Sequence, residues 1–260
     1  MEIEAVVLGG QDKLEDWVKE EGVPHKALLD IAGKRMIDWI IDALKDTPQI
    51  KRIILIGKSE IFPEDIRKRV DVFLEDSGSF MKNIENVYKI TKYEYSVFVP
   101  TDVPLITSQI YTKTFEFCEN FEKGCYLYVL VNKKRDVEKK FPGTKRTYWK
   151  LKGGYYKIGN ILPIRRELYP SAINFGYKLL KARKSPIKMA SLFPISFMIK
   201  ALFHLATLKD CEVVVCDITE LRGRAVPIPF PEIAIDVDKK EDLIFVRKIM
   251  EKIKDEGTTP

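Results

Sequence analysis

The first hundred residues alternate short apolar runs with amphipathic segments, and this alternation limits the folds open to the chain. Residues 4–8, 51–57 and 95–99 have the length and apolar content of strands buried on both faces. Between them, residues 34–44 and 78–91 repeat apolar side chains at helical spacing. Strands that are joined through helices form right-handed crossovers in a parallel sheet. The pattern therefore predicts an α/β fold around a central sheet.

The second half of the chain is less regular but contains one clear local signal. Aromatic and β-branched residues flank Gly153-Gly154, which predicts a β-hairpin over residues 147–158. Helical spacing over residues 207–221, with a capping-box pattern at Thr207, favours a helix over the strand that the run of valines suggests. Pro170 should break or restart a helix at 165–182. Other predicted elements are helices at 107–121 and 238–253 and strands at 125–131, 224–228 and 232–237.

Residues 185–208 form the most apolar stretch and are interrupted by Pro194. A helical layer that covers the sheet, or a contact between two copies of the chain, would account for this stretch. An apolar pocket for a substrate would also account for it. So would a contact with a membrane surface, since Lys188 and Lys200 lie among the apolar residues.

The composition excludes several classes of protein. Of 260 residues, 45% are apolar, which is enough for the core of one α/β domain. A net charge of +6, with both signs interspersed, suits a small anionic ligand and is too small to indicate nucleic-acid binding. No apolar run predicts a transmembrane helix, and the acidic start is unlike a secretory signal. The four cysteines lack the spacing of a metal site, which predicts free thiols in a cytoplasmic protein.

Glycines and charged residues recur where the predicted strands end. Gly9-Gly10 follows the first strand and Asp102 follows the third, while Lys26 lies in the first long loop. Asp236 and Asp238 end the last strand and begin the last helix. Ligands bind beyond the carboxyl ends of parallel strands, so these residues should meet at one rim. Carboxylates and phosphate oxygens are ligands of Mg²⁺, and a lysine can neutralise charge on an α-phosphate. The set predicts metal-assisted transfer of a nucleotidyl group.

Three blocks of the sequence resemble the nucleotidyltransferases, the superfamily of molybdenum-cofactor guanylyltransferases, sugar-1-phosphate nucleotidyltransferases and methylerythritol-phosphate cytidylyltransferases. The blocks are residues 4–10 with 23–36, residues 99–107, and residues 235–243. The resemblance implies a Rossmann-like, GT-A-type fold of three α/β/α layers with a mostly parallel mixed sheet, to which the sequence pattern adds a β-hairpin and a helical C-terminal insertion. It implies one domain over residues 1–260. Its predicted parts are a nucleotide-binding half at 1–106, an acceptor-binding half at 107–232 with the insertion at about 185–222, and a metal-binding strand end with the last helix at 233–260.

The resemblance also implies roles for individual residues. Lys26 and Asp102 would be catalytic, and Asp102 and Asp238 would hold Mg²⁺ or Mn²⁺ with help from Asp236. The implied nucleotide contacts are Leu8, Gly9, Gly10, Lys26, Gly78, Ser79, Asn83, Thr101 and Asp102. The implied acceptor contacts are Arg146, Thr147, Gly159 and Asn160.

The expected activity is Mg²⁺-dependent transfer of a nucleoside monophosphate from a triphosphate to a phosphorylated small molecule, with release of pyrophosphate. One departure from the family pattern weakens the expected triphosphate binding. Where the family commonly has a basic G-x-G-x-R motif, this chain continues as Gln11-Asp12-Lys13 and then an acidic segment through Glu21. A regulator that binds nucleotide without catalysis is therefore one alternative. A glycosyltransferase that uses a nucleotide sugar is another, and a homodimer remains open.

Overall fold

The chain forms a mixed α/β structure, described for residues 1–10 and 13–255 by a computed structural model. Its strands are β1 (Ile3–Leu8), β2 (Asp30–Ile31), β3 (Lys34–Arg35), β4 (Ile50–Gly57), β5 (Val72–Glu75), β6 (Tyr95–Pro100), β7 (Leu127–Lys133), β8 (Trp149–Leu151), β9 (Gly154–Ile158), β10 (Leu162–Arg165) and β11 (Gly223–Pro227). Its α-helices are α1 (Asp16–Glu20), α2 (Met36–Lys45), α3 (Glu64–Arg67), α4 (Phe80–Ile90), α5 (Ser108–Phe121), α6 (Lys134–Lys140), α7 (Tyr169–Ala182), α8 (Pro186–Ala190), α9 (Ile195–Leu202), α10 (Leu208–Thr219) and α11 (Lys240–Asp255). Short 3₁₀ helices lie at Lys26–Leu28, Arg166–Leu168 and Pro231–Ala234.

A single large sheet organises the chain. Its order is β5-β4-β1-β6-β10-β7-β9-β8, and β11 pairs with β7 in parallel. The four strands from β5 to β6 run parallel to one another, whereas β10 is antiparallel to both β6 and β7. Strands β8 and β9 form the predicted hairpin. The mostly parallel mixed sheet confirms the predicted fold class.

Alternation along β1 explains the three layers. Ala5 and Val7 are buried in the cluster that contains Ile37 and Ile40 of α2. Val6, which points the other way, is buried in a second cluster with the apolar face of α4. Each face of this central strand is therefore covered by a helix, which is why β1 is apolar at nearly every position.

The predicted elements are mostly present, with two corrections. The helix predicted over residues 165–182 begins later, at Tyr169; Pro170 restarts it as expected and lies in the first turn of α7, where its missing N–H costs nothing. The strand predicted over residues 232–237 is wrong, because Pro231 begins a 3₁₀ turn that runs to Ala234. Residues 207–221 form helix α10 as favoured, and the side chains and backbone of Thr207 and Asp210 complete the capping box.

The apolar stretch at 185–208 does not form a layer over the sheet. It folds into α8 and α9, separated by Pro194, and neither helix contains a buried residue. The covering-layer interpretation is therefore wrong. The four cysteines are free thiols, as predicted.

Candidate active site

Lys26, Asp102 and Asp238 meet beyond the carboxyl ends of β1 and β6. The Nζ atom of Lys26 lies 2.7 Å from Oδ2 of Asp102 and 3.6 Å from Oδ1 of Asp238. The backbone N–H of Val237 donates to the carbonyl of Asp102 at 2.9 Å, which holds the Asp238 loop against the end of β6. Burial opposes the charged form of Lys26, but the carboxylates of Asp102 and Asp238 raise its pKa. The structure thus brings together the three residues that the sequence motifs singled out, with Lys26 as a cation between two carboxylates.

Local packing explains where Lys26 lies. It begins a 3₁₀ turn whose first free N–H, that of Ala27, donates to Nδ1 of His25 at 3.0 Å. The ring of His25 packs on Phe62, with 5.1 Å between ring centroids. Phe62 in turn fills the space over Gly57, where a Cβ atom would come within 2.5 Å of its ring. The position of Lys26 therefore depends on buried packing contacts that run from His25 through Phe62 to the end of β4.

A second charged cluster surrounds Asp236. Its Oδ1 lies 3.6 Å from Nη1 of Arg146 and 3.5 Å from Nζ of Lys157. The same Arg146 nitrogen pairs with Asp242 at 2.9 Å, and only 4% of the Arg146 side chain is exposed. Burial raises the pKa of Asp236, and the negative charges of Asp238 and Asp102 raise it further. The positive charges of Lys157 and Arg146 lower it in part. The cluster therefore adjoins the pair of carboxylates that contact Lys26.

Lys157 was missed by the sequence analysis. It lies on β9, and nothing in its local sequence separates it from the other lysines of the chain. Among the predicted acceptor contacts, Asn160 has a buried Nδ2 with no hydrogen-bond partner in the part of the chain that the structure describes. Thr147 is exposed. Gly159 serves packing, because a Cβ atom there would come within 2.7 Å of Ile233.

A cavity of about 200 Å³ opens beside the end of β1. Its wall contains five predicted nucleotide contacts, and also Ile56, Asp76 and Phe80, which were not predicted. The five are Leu8, Gly10, Gly78, Ser79 and Asn83. Thr101 and Asp102 lie nearby, since Leu8 pairs with Pro100 in the sheet.

Asn83 fixes the loop at one side of this cavity. Its Oδ1 accepts the backbone N–H of Ser77 at 2.9 Å and the hydroxyl of Ser77 at 2.7 Å. Its Nδ2 donates to Oδ1 of Asp76 at 2.6 Å, and that oxygen also accepts the N–H of Gly78 at 3.0 Å. Both ends of the Asn83 amide are thus used within the protein, so its effect on a ligand would act through the shape of the loop and the orientation of Asp76.

Gly9 has a packing role in this structure. Its N–H donates to the carbonyl of Ile56 at 2.8 Å, and a Cβ atom would lie 2.6 Å from that same oxygen. The N–H of Gly9 is therefore used by the sheet. At Gly10 a Cβ atom would be 3.4 Å from Oδ2 of Asp76, so this oxygen faces Gly10 and the cavity.

Two carboxylates at the end of the acidic segment after Gly10 pair with the last helix. Glu20 pairs with Lys240 at 2.7 Å, and Glu21 pairs with Arg247 at 2.7 Å. The hydrogen bond from Arg247 lowers the pKa of Glu21. Gln11 and Asp12, which stand where the family motif is basic, lie outside the described residues. The repulsion expected from this segment is thus reduced for its C-terminal part.

The carboxylates at the rim fit a divalent cation that is also bound by substrate. Mg²⁺ usually takes one or two protein carboxylates and completes its shell with water and phosphate oxygens. Asp102 and Asp238 provide such a pair, and Oδ1 of the neighbouring Asp236 is buried without a hydrogen bond from any residue that the structure describes. Within residues 1–10 and 13–255, no group of three or more acidic, histidine or cysteine side chains is arranged as a complete metal site. The two carboxylates fit an ion whose remaining ligands would be water and phosphate oxygens.

Solved structures with this fold are numerous. A hypothetical transferase from Thermus thermophilus has a TM-score of 0.78 and 27% identity, over 94% of this chain and 100% of that one. CMP:2-keto-3-deoxy-manno-octonic acid synthetase complexed with CTP has a TM-score of 0.56 and 16% identity, over 97% and 99% of the two chains. The 4-diphosphocytidyl-2C-methyl-D-erythritol synthase of Anaerococcus prevotii has a TM-score of 0.58 and 14% identity, over 96% of both chains. The last two likenesses show a shared fold.

No curated protein sequence matches the chain. A family model described as Cytidylyltransferase matches residues 18–214. This range includes Lys26, Asp102 and the loop that lines the cavity. Because the match covers most of the chain, the protein belongs to the cytidylyltransferase family and is a nucleotidyltransferase that uses a nucleoside triphosphate.

Proposed function

We propose that the protein transfers CMP from CTP to a phosphorylated small molecule. An oxygen of the acceptor phosphate attacks the α-phosphorus of CTP, and a new P–O bond forms as the bond to the β-phosphate oxygen breaks. Pyrophosphate leaves, and the product is a CDP-linked compound. The observation that supports this reaction best is the contact of Lys26 with Asp102 and Asp238 at the end of the strands that border the cavity.

Lys26 would stabilise the transferring phosphoryl group. Its ammonium is held in place before any ligand binds, so little reorganisation is needed when negative charge develops on the α-phosphate. Phosphoryl transfer depends mainly on positioning and charge neutralisation, and it needs no covalent intermediate with the protein. A small set of fixed charges is therefore sufficient for the reaction.

Mg²⁺ or Mn²⁺ would be held by Asp102 and Asp238, with Asp236 close by. When bound, the ion would neutralise phosphate charge and orient acceptor and nucleotide. Lys26 would share these two carboxylates with the ion and keep its present position between them. The fit of two carboxylates to an ion that is completed by substrate supports this assignment.

The cavity supports cytosine as the base. The exocyclic amine of cytosine is a donor, whereas the corresponding group of uracil is a carbonyl acceptor. Oδ2 of Asp76 faces the cavity, and its partner Oδ1 is already engaged by Gly78 and Asn83. A fixed carboxylate oxygen at this position would accept a hydrogen bond from cytosine and repel the carbonyl of uracil. Phe80, which is exposed at the cavity, offers an aromatic ring for stacking.

The cluster around Asp236 supports an anionic acceptor. Arg146 and Lys157 place two cations beside the carboxylate pair, and two nitrogens of Arg146 are buried without a hydrogen bond in the described part of the chain. Asn160 contributes a further unpaired donor. Unpaired buried donors are costly, so a group that accepts from them would bind favourably. A phosphate on the acceptor is such a group.

The variant Asp102→Asn tests the reaction centre. It should reduce pyrophosphate release from CTP by roughly 100-fold or more across a panel of sugar and alditol phosphates, because the carboxylate charge at the rim is lost. The variant should keep its fold, since Lys26 retains Asp238 as a partner. Asp217→Asn, at an exposed position on α10, is the matched control and should retain full activity. Full activity of Asp102→Asn with every acceptor that the wild type uses would show that the assigned centre is wrong.

A further inference from the structure

Helix α9 turns its apolar face toward solvent. Ile195, Met198, Ile199, Leu202 and Phe203 recur at the spacing of one helical face, and all five are exposed. Leu202 is 74% exposed, and Ile187 on the preceding helix is 83% exposed. An amphipathic helix normally buries this face against the core. Contiguous exposed apolar residues of this kind mark an interaction surface.

The segment is nonetheless attached to the body of the protein on its other side. The ring of Phe193 packs edge-on against Phe175 of α7, with 6.2 Å between centroids. Lys200 pairs with Asp210 at the start of α10, and the carbonyl of Ala206 accepts the N–H of Lys152 at the hairpin turn. These contacts hold α9 in a fixed position with its apolar face toward solvent.

The segment that carries this face contains only positive charges. Residues 168–209 contain six lysines and one arginine and no aspartate or glutamate, so the segment carries +7 where the whole chain carries +6. Among the described residues, Lys200 is the only one of these seven cations that forms an ion pair. The six others are Lys178, Lys181, Arg183, Lys184, Lys188 and Lys209.

We propose that this face docks on an anionic phospholipid bilayer. The side chains of Ile195, Ile199 and Leu202 would enter the boundary between headgroups and acyl chains, and the surrounding cations would contact anionic headgroups. Long lysine side chains suit this arrangement, since their stems lie along apolar surface while their ammonium groups stay in the polar layer. No helix among the described residues is long and apolar enough to cross a bilayer, so the proposed contact is with the membrane surface.

A bilayer fits this face better than a second copy of the chain does. A symmetric contact through α9 would bring two segments of charge +7 together, and neither segment contains an acidic residue to pair with the other's cations. An anionic bilayer instead offers both an apolar layer and a dense negative surface. The occupant that matches both properties is therefore lipid.

Co-sedimentation of the full chain with vesicles tests the proposal. At low salt the wild type should pellet with vesicles that contain phosphatidylserine at least tenfold more than with pure phosphatidylcholine, and binding should fall as NaCl is added. The triple variant Ile195→Ser, Ile199→Ser, Leu202→Ser should lose at least tenfold in binding. The double variant Lys181→Glu, Lys188→Glu should do the same. All the substituted side chains are exposed, so the fold should survive.

Matched controls use exposed residues elsewhere in the chain. Ile244→Ser on α11 controls for loss of an apolar side chain, and Lys113→Glu with Lys123→Glu controls for charge reversal. These variants should pellet like the wild type. Vesicle binding is measured without substrates, so its failure would leave the proposed transferase activity untouched.

Three outcomes would overturn the proposal. The first is no co-sedimentation of the wild type at low salt. The second is equal loss of binding in the control variants. The third is a dimer by analytical ultracentrifugation that the triple variant dissociates, with no vesicle binding, which would assign the face to a second copy.

Discussion

At the scale of single residues, the candidate active site depends on the balance of charge around Lys26. Asp102 and Asp238 share its ammonium, and without it two carboxylates would face each other across a partly buried rim. Asp236 has two cationic partners of its own, Arg146 and Lys157. Because the partners of Asp236 differ from those of the other two carboxylates, the three side chains can differ in role. We propose that Asp102 and Asp238 hold the metal and that Asp236 organises the acceptor side.

Asp76 allows the sharpest test of base selection. In Asp76→Asn, the side-chain oxygen can still accept from Gly78 and Asn83, while an amide NH₂ replaces the oxygen that faces the cavity. That donor should repel the amine of cytosine and bind the carbonyl of uracil. We expect the preference for CTP over UTP to fall by roughly 10- to 100-fold, measured as the ratio of Kd values from calorimetry.

The neighbouring variant Asp71→Asn is the control for Asp76, because Asp71 accepts a backbone N–H of β4 away from the cavity. It should bind CTP and UTP in the wild-type ratio. An unchanged ratio in Asp76→Asn would remove Asp76 from base recognition.

His25 gives the protein a predicted dependence on pH. Burial lowers the pKa of His25 to about 4, and the charge of Lys26 acts in the same direction. Below about pH 6.5 the unfolded chain takes up a proton that the folded chain excludes until about pH 4. The free energy of unfolding should therefore fall as the pH is lowered through this window, by up to about 3 kcal/mol.

Urea unfolding at several pH values measures this dependence. His25→Asn is the reference, because asparagine can still accept the N–H of Ala27 but does not titrate. Between pH 6.5 and 4 its stability should decline less steeply than that of the wild type. If the free energies of unfolding of the two proteins decline equally with pH, His25 is not the source of the pH dependence.

Residues that the sequence could identify share a local signature. Lys26, Asp102 and Asp238 stand in short motifs at the ends of elements, so their positions follow from the order of strands. Asp76 and Lys157 carry no such signature. Asp76 follows β5, an edge strand that the apolar pattern does not reveal, and Lys157 is one lysine in a charged hairpin. Their importance arises from tertiary contacts, which the sequence alone does not display.

At the scale of elements, the parallel strands and the local hairpin were predictable from the sequence, whereas the insertion of β10 was not. Strands β1, β4 and β6 are apolar and separated by helices, and each of these features is local. Strand β10 is a four-residue strand that inserts between β6 and β7 in the opposite direction. Its place depends on pairing partners that are distant in the sequence. The wrong strand at 232–237 has a similar cause, since Ile233 and Val237 bond to Asn160 and Asp102 instead of to a neighbouring strand.

Helix α10 is stabilised at its start by the capping box that favoured it over a strand. The hydroxyl of Thr207 accepts the N–H of Asp210, and the Asp210 carboxylate accepts the N–H of Thr207 at 2.8 Å. Thr207→Ala should lower the free energy of unfolding by about 1 kcal/mol in urea denaturation. Thr207→Ser, which keeps the hydroxyl, should stay close to the wild type. Equal losses of stability in both variants would show that the methyl group of Thr207 stabilises the helix and that its hydroxyl does not.

At the scale of the whole molecule, charge is divided between two regions. Residues 168–209 carry +7, so the rest of the chain, including the active site, is close to neutral. In the candidate site, the cations Lys26, Arg146 and Lys157 are all paired with carboxylates. The net charge of +6 therefore reflects the apolar, basic segment more than the nucleotide site, and the two regions can be tested independently.

The most direct test of the central proposal is a thermal-shift screen of CTP, UTP, ATP and GTP, each with and without Mg²⁺. A ligand that binds the folded state raises the Tm by mass action, and at 100 times its Kd this amounts to about 2.7 kcal/mol, or roughly 5 to 10 °C for a domain of this size. CTP should give the largest shift, and Mg²⁺ should increase it. Equal shifts for all four nucleotides, no shift at all, or a larger shift with another base would contradict a CTP-dependent transferase.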